Sequence, residues 1–242
     1  MFSARMKSRI AGMAMAGALF ALPAAAMAGV VVKVSGPSAG EFPVGTQLDD
    51  EASITLREGD QITVLTSEGT RVMQGPGTFQ VGEGASRTRA RFSNLTRRRA
   101  ARRVRTGAVR GAEAGPARSP NLWFVDVTAP GTVCVYDLAA VRLWRPDTAA
   151  SQTYTIRDQA SRASLEVSFA ETESVRALRG EGFALTDGGN YSISGPAAAV
   201  EVTFVTLDGE YEGEEQLAQA LYQNGCSTQL ALLADTLEAA VQ

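Results

Sequence analysis

The residues of this 242-residue chain that could do chemistry are two cysteines, a run of arginines and scattered carboxylates. Histidine is absent. That removes Ser-His and Cys-His nucleophile pairs, imidazole metal ligands and an imidazole general base. Cys134 and Cys226 are far apart in sequence, unlike the C-x-x-C spacing of a redox pair, so catalysis by these thiols is not expected. Lys33 is the one lysine after residue 28 and lies in a strand-like run, a poor setting for a Ser-Lys dyad. Asp49-Asp50-Glu51 and the group Glu210, Glu212, Glu214 and Glu215 could supply the acid and base of glycoside hydrolysis. Their turn-like and helix-start contexts favour solvated or capping roles instead. Residues 187–190, from Asp187 to Asn190, offer oxygen ligands for calcium but lack the D-x-D-x-D-G spacing of a dedicated loop. The sequence therefore calls for no catalytic residue, no metal and no cofactor.

The elements that must position these residues begin after an address. Arg5, Lys7 and Arg9 precede an apolar stretch over 10–22, Pro23 follows, and Ala26-Met27-Ala28 provides small residues for cleavage. This is the layout of a secretory signal peptide at 1–28, cut after Ala28. The stretch is short for a bilayer span, and an uncleaved anchor is the rival reading. The expectation is a periplasmic chain with no transmembrane segment in its mature part. In that oxidising compartment Cys134 and Cys226 are expected to form a disulfide, with two buried free thiols as the alternative.

Charge is split along the chain. Between Arg87 and Arg118 there are eleven arginines and one acid, Glu113. The rest of the chain after residue 28 holds nine basic and twenty-five acidic residues, and no basic residue follows Arg179. Residues 87–119 thus read as an Arg-rich linker interrupting an acidic protein. Ser93 could cap a short helix there, and Thr106-Gly107 could end it. Arg97, Arg98, Arg99, Arg102, Arg103 and Arg105 are the candidate anion-binding or partner-binding residues, because the guanidinium fork pairs carboxylates and phosphates bidentately. Three fates compete: a solvated linker, docking on an acidic surface of this chain or of a partner, and binding of anionic lipid, envelope polymer or nucleic acid. Nucleic acid is disfavoured by export and by the lack of interleaved aromatics.

Residues 29–86 read as short strands and tight turns, at 30–34, 53–56, 61–66, 70–73 and 78–81. Val32-Lys33-Val34-Ser35-Gly36, Gly45-Thr46-Gln47-Leu48, Ile54-Thr55-Leu56, Gly59-Asp60 and Ile62-Thr63-Val64 together resemble a FecR-like domain over residues 30–82. The resemblance implies a small periplasmic β structure serving as an envelope-facing scaffold or binding module. It supplies no catalytic residues. The chain lacks the cytoplasmic segment and membrane helix of the iron-uptake regulators, so anti-sigma signalling does not carry over.

Residues 120–207 contain candidate strands at 122–128, 132–136, 140–144, 154–156, 165–169, 182–185, 191–194 and 200–205. Their spacing suggests a β-sandwich or jelly-roll-like domain, with Trp123, Trp144, Phe169, Phe183 and Phe204 as core. Over 208–242 the period turns helical. A helix at 212–223 should stop at Asn224-Gly225, and Ser227 should cap a second helix lined by Leu230, Leu233 and Leu237. The fold class is mainly β: two antiparallel β regions closed by a C-terminal helical hairpin. The function expected is a non-enzymatic binding or scaffold module of the cell envelope, in a periplasmic sensing or assembly system. Its partner would be an acidic envelope protein or surface, or an anionic envelope component. The alternative is a carboxylate-dependent hydrolase acting on an envelope polymer.

Overall fold

A computed structural model describes residues 27–97, 117–211 and 213–241. The first β region contains β1 (Met27–Ser35), β2 (Gln47–Asp49), β3 (Ser53–Leu56), β4 (Gln61–Thr66), β5 (Gly69–Gln74) and β6 (Gly77–Gln80). One sheet has the order β2-β1-β4-β5, and β3 pairs with β6 in a second. All of these pairings are antiparallel. The two sheets bury Val31, Ile54, Ile62, Val64 and Met73 between them. Gly69 sits in the tight β4–β5 turn at φ 145°, where an added Cβ would lie 2.2 Å from the Ser86 carbonyl. Only glycine fits there.

A register shift between Val31 and Lys33 interrupts the β1–β4 ladder. This bulge resets which face each side chain takes. Val30 and Val32 pack on the outer side of the sheet, whereas Val31 and Val34 pack into the inter-sheet core. Lys33, which strict alternation would send inward with Val31, instead reaches acids of the C-terminal helix.

A short helix, α1 (Arg89–Leu95), follows. The second β region comprises β7 (Phe124–Asp126), β8 (Gly131–Val135), β9 (Arg142–Trp144), β10 (Gln152–Asp158), β11 (Ser164–Phe169), β12 (Val175–Ala177), β13 (Asn190–Ser194) and β14 (Val200–Thr206). They form a five-stranded sheet, β11-β10-β13-β14-β8, and a three-stranded sheet, β12-β9-β7. One core joins the sheets, with Val125 and Leu143 from the smaller and Ile156, Phe169, Ile193 and Phe204 from the larger. The pairs β14–β8 and β7–β9 are parallel and the remainder antiparallel.

Two helices follow, α2 (Glu214–Gln223) and α3 (Ser227–Glu238). Leu217, Leu221, Leu230, Leu233 and Leu237 form a third core with Val30, Val32 and Leu65 of the first sheet. Leu95, Leu122, Cys134 and Leu207 belong to the same core. The helical hairpin is thus the element on which both β regions converge. Cys134 of β8 is bonded to Cys226 at the hairpin turn, with Cα atoms 5.9 Å apart.

The fold class expected from the sequence is the one observed, and β3 and β4 match the expected strands residue for residue. Several details differ. Residues 182–185 form no strand, only an isolated bridge between Gly180 and Phe183. Phe183 packs at the margin of the sandwich core, and Trp123 joins the helical core instead. The three-residue strands β2 and β12 were not foreseen, because Gln-Leu-Asp and Val-Arg-Ala carry no β-branched run. Ser93 lies inside α1, whose N-cap is Thr88, and Ser227 is the first residue of α3 rather than its cap.

The disulfide spans a sequence separation of 92 residues. The double variant Cys134→Ser, Cys226→Ser should lose about 4–5 kcal/mol of unfolding free energy in the chain-entropy picture. Urea unfolding of the oxidised wild type against the variant measures it, and an unchanged midpoint would contradict the expectation.

Candidate functional site at the base of the arginine-rich insert

The arginine-rich insert leaves the described chain at Arg97 and rejoins it at Ala117. Its base is tied shut by groups on either side. Asn121 donates its amide N–H to the Arg97 carbonyl at 3.0 Å, and Trp123 Nε1 donates to the Thr96 carbonyl at 2.7 Å. The Leu122 N–H donates to the Leu95 carbonyl at 3.0 Å. Trp123 meets Tyr136 edge-on with ring centroids 4.6 Å apart. Three hydrogen bonds therefore hold side by side two segments that are about two dozen residues apart in sequence, and the ring contact fixes the second of them against the end of β8.

Helix α1 is short and rich in arginine, so tertiary contacts must hold it. Leu95 is buried against the helical core. Thr88 does not use its hydroxyl to cap α1. That hydroxyl donates instead to buried Glu214 at the start of α2, whose other oxygen accepts from Thr70 at 2.9 Å. The carboxylate also sits where the positive end of the α2 dipole favours it. Arg87, Arg89, Arg91 and Arg97 remain exposed on this base and form no salt bridge among the described residues. Arg98, Arg99, Arg102, Arg103 and Arg105 lie outside the described residues. Within the expected linker, residues 89–95 form α1 with Leu95 buried, and Arg118 is tied to α3.

Arg118, on the returning side, pairs with Asp235 of α3 at 3.2 Å. The same carboxyl group accepts from Lys33 at 2.8 Å, and Lys33 also donates to Glu238 at 2.9 Å. Gln61 donates to Glu238 as well. Lys33 is thus an anchor between β1 and α3 and not a catalytic base. Hydrogen bonds to Asp235 and then Glu238 hold its ammonium pKa above the ordinary lysine value.

Gln229 is the second anchor. Its Oε1 accepts from the Cys134 N–H at 2.7 Å, and its Nε2 donates to the Cys134 and Leu122 carbonyls at 2.8 and 2.9 Å. The side-chain amide mimics a pairing strand on the free edge of β8. It ties α3 to β8 and to the segment returning from the insert.

The carboxylates singled out in the sequence fall in different settings, and Asp50 of one group comes near Glu215 of the other. Asp49, Asp50 and Glu51 are exposed around the end of β2. Glu214 is buried on threonine hydroxyls, and burial, with Asp50 nearby, raises the pKa of its neighbour Glu215. Glu210 is exposed, and Glu212 lies outside the described residues. Asp187 accepts from the Thr206 N–H at 2.6 Å and Asn190 from the Thr203 hydroxyl at 2.6 Å. Those oxygens tie residues 187–190 to β14. Among the described residues no group of three or more acids or cysteines is placed to hold a metal ion.

Sequence reasoning passed over two further residues. Gly36-Pro37-Ser38-Ala39-Gly40 spells G-x-S-x-G, the spacing of a hydrolase nucleophile turn. Ser38 is buried in a 3-10 turn, its N–H on Asp60 at 2.8 Å, and the chain has no histidine to activate it. Arg145 is fully buried in the sandwich. It donates to the carbonyls of Glu173, Ala150 and Ala170 at 2.7–2.8 Å and lies over the Phe169 ring. It clamps two loops. Comparison with protein-family models, curated proteins and solved structures gave no match.

Two outcomes follow from the anchors. A pKa raised in the folded state means the Lys33 contribution is fully present below the unfolded lysine value, about 10.4, and is lost as pH rises through the folded value. The stability gap between wild type and Lys33→Met should therefore be constant from pH 7 to 9 and close at higher pH, as read by urea unfolding. A gap that widened with pH would contradict this. Gln229→Leu should cost roughly 3 kcal/mol, because the Cys134 N–H and two carbonyls lose their partner in a buried setting. An unfolding midpoint equal to wild type would refute that role.

Proposed function

We propose that this protein is an exported, non-enzymatic binding module of the cell envelope, working in a periplasmic sensing or assembly system, and that its arginine-rich insert recognises an acidic partner. The observation that carries the reading is the basic insert rooted on a rigid base. Eleven arginines and one acid fall between Arg87 and Arg118. The chain ends of the insert are bound to each other and to the helical core. A linker that only spaced two domains would need no such closed base. The helical hairpin already joins the two β regions.

The pairing chemistry is that of guanidinium forks with carboxylates or phosphates. Several acids of the chain's own tail are already engaged: Asp235 and Glu238 by Lys33 and Arg118, and Glu214 by two threonines. This favours a partner's acids as the target of the insert. Export is supported by the signal-peptide layout of residues 1–28, and the disulfide is compatible with an oxidising compartment. The resemblance of residues 30–82 to a FecR-like domain points to the same setting. No helix among the described residues is long and apolar enough to cross a membrane.

The test is a crosslinking pull-down from envelope extract at low and high salt. The baits are the wild type and a variant with Arg97, Arg98, Arg99, Arg102, Arg103 and Arg105 changed to Gln. The expected result is an acidic partner captured by the wild type only, with capture weakening as salt rises. An identical partner list from both baits would reduce the insert to a linker.

A further inference from the structure

A pocket of about 210 Å³ lies where α3, the β7–β8 connection and the segment returning from the insert meet. Its walls are largely apolar: Leu122, Phe124, Pro130, Val133 and Leu232. Its charged and amide groups are engaged within the protein. Arg118 and Asp235 pair with each other, and Asp235 also holds Lys33. Asp126 accepts from the Thr128 N–H and hydroxyl at 2.8 and 2.6 Å. The Gln229 amide is spent on the backbone of Cys134 and Leu122. A charged ligand would find its counter-charges taken, whereas an apolar one would displace water from carbon walls.

The pocket cannot close by letting its walls collapse. Gln229 and the Cys134–Cys226 bond fix α3 against β8, and the Leu122–Leu95 and Asn121–Arg97 bonds fix the third wall. A preformed apolar site loses little on binding to reorganisation. A dry apolar cavity of about 150 Å³ is enough to take up benzene.

We propose that this pocket is a binding site for a small neutral aromatic molecule of up to about eight or nine non-hydrogen atoms, the size set by that comparison. Of the insert's arginines only Arg118 lines the site, where Asp235 holds it, and the site stands whether or not the other arginines recognise a partner. It places a ligand beside Ala117 and Ser119, in the segment that returns from the insert to the tied base.

The test is methyl NMR titration of the disulfide-bonded protein with toluene and with indole. Saturable shifts are expected at the methyls of Leu122, Val133 and Leu232, with a dissociation constant below about 1 mM. Ala231→Phe, at an exposed wall position, and Leu232→Trp plug the pocket from separate places. Each should weaken binding at least about tenfold, which is 1.4 kcal/mol. The comparison uses whichever variant keeps the wild-type unfolding midpoint. Non-saturating shifts, shifts confined to other methyls, or wild-type affinity in a folded plugged variant would overturn the proposal.

Discussion

The apolar faces of α2 and α3 are the surface against which the rest of the chain is organised. Each buried leucine there contributes roughly 1.5–3 kcal/mol relative to exposure. The first β region is small, and only one face of its main sheet is covered by its own second sheet. Val30, Val32 and Leu65 would leave the other face wet without the hairpin. Small units of this size form marginal cores alone. The sandwich has a core of its own, yet its β8 edge and the segment before β7 also close on the same helices.

Polar anchors give that apolar contact its register. Leucines slide past valines at little cost, whereas Gln229 satisfies the Cys134 backbone in one alignment only. Lys33 likewise fixes α3 along β1 through Asp235 and Glu238. Arg145 plays the equivalent part inside the sandwich. An arginine without water is costly unless its donors find partners, and three loop carbonyls take one bond from each of its nitrogens. These groups convert a greasy contact into a specified one.

What could be seen in the sequence divides along local and long-range lines. Strands β3 and β4 are bounded by glycine and charged turns and rich in β-branched residues, so their limits follow from local preference. The leucine spacing of α3 gave its buried face, and export logic with a cysteine count gave the disulfide. Partners across long separations were not visible. The parallel pairs β14–β8 and β7–β9 depend on register between distant segments, which alternation does not encode. Lys33 reads as one more strand residue until the bulge turns it outward. Arg145 stands in an Arg-Pro-Asp turn pattern, where a charged residue is ordinarily solvated. The base of the insert was hidden because asparagine and tryptophan carry no signature for tying two loop ends together.

The placement of α3 has a bearing on how the chain comes to be folded. Lys33 finds its acids 202 and 205 residues further on, and Cys134 waits for Cys226. Closure between such distant segments is slow compared with local pairing. A nascent chain carries the valine face of β1 uncovered until α3 has been made. The first β region therefore completes its packing only after a segment some two hundred residues downstream has appeared.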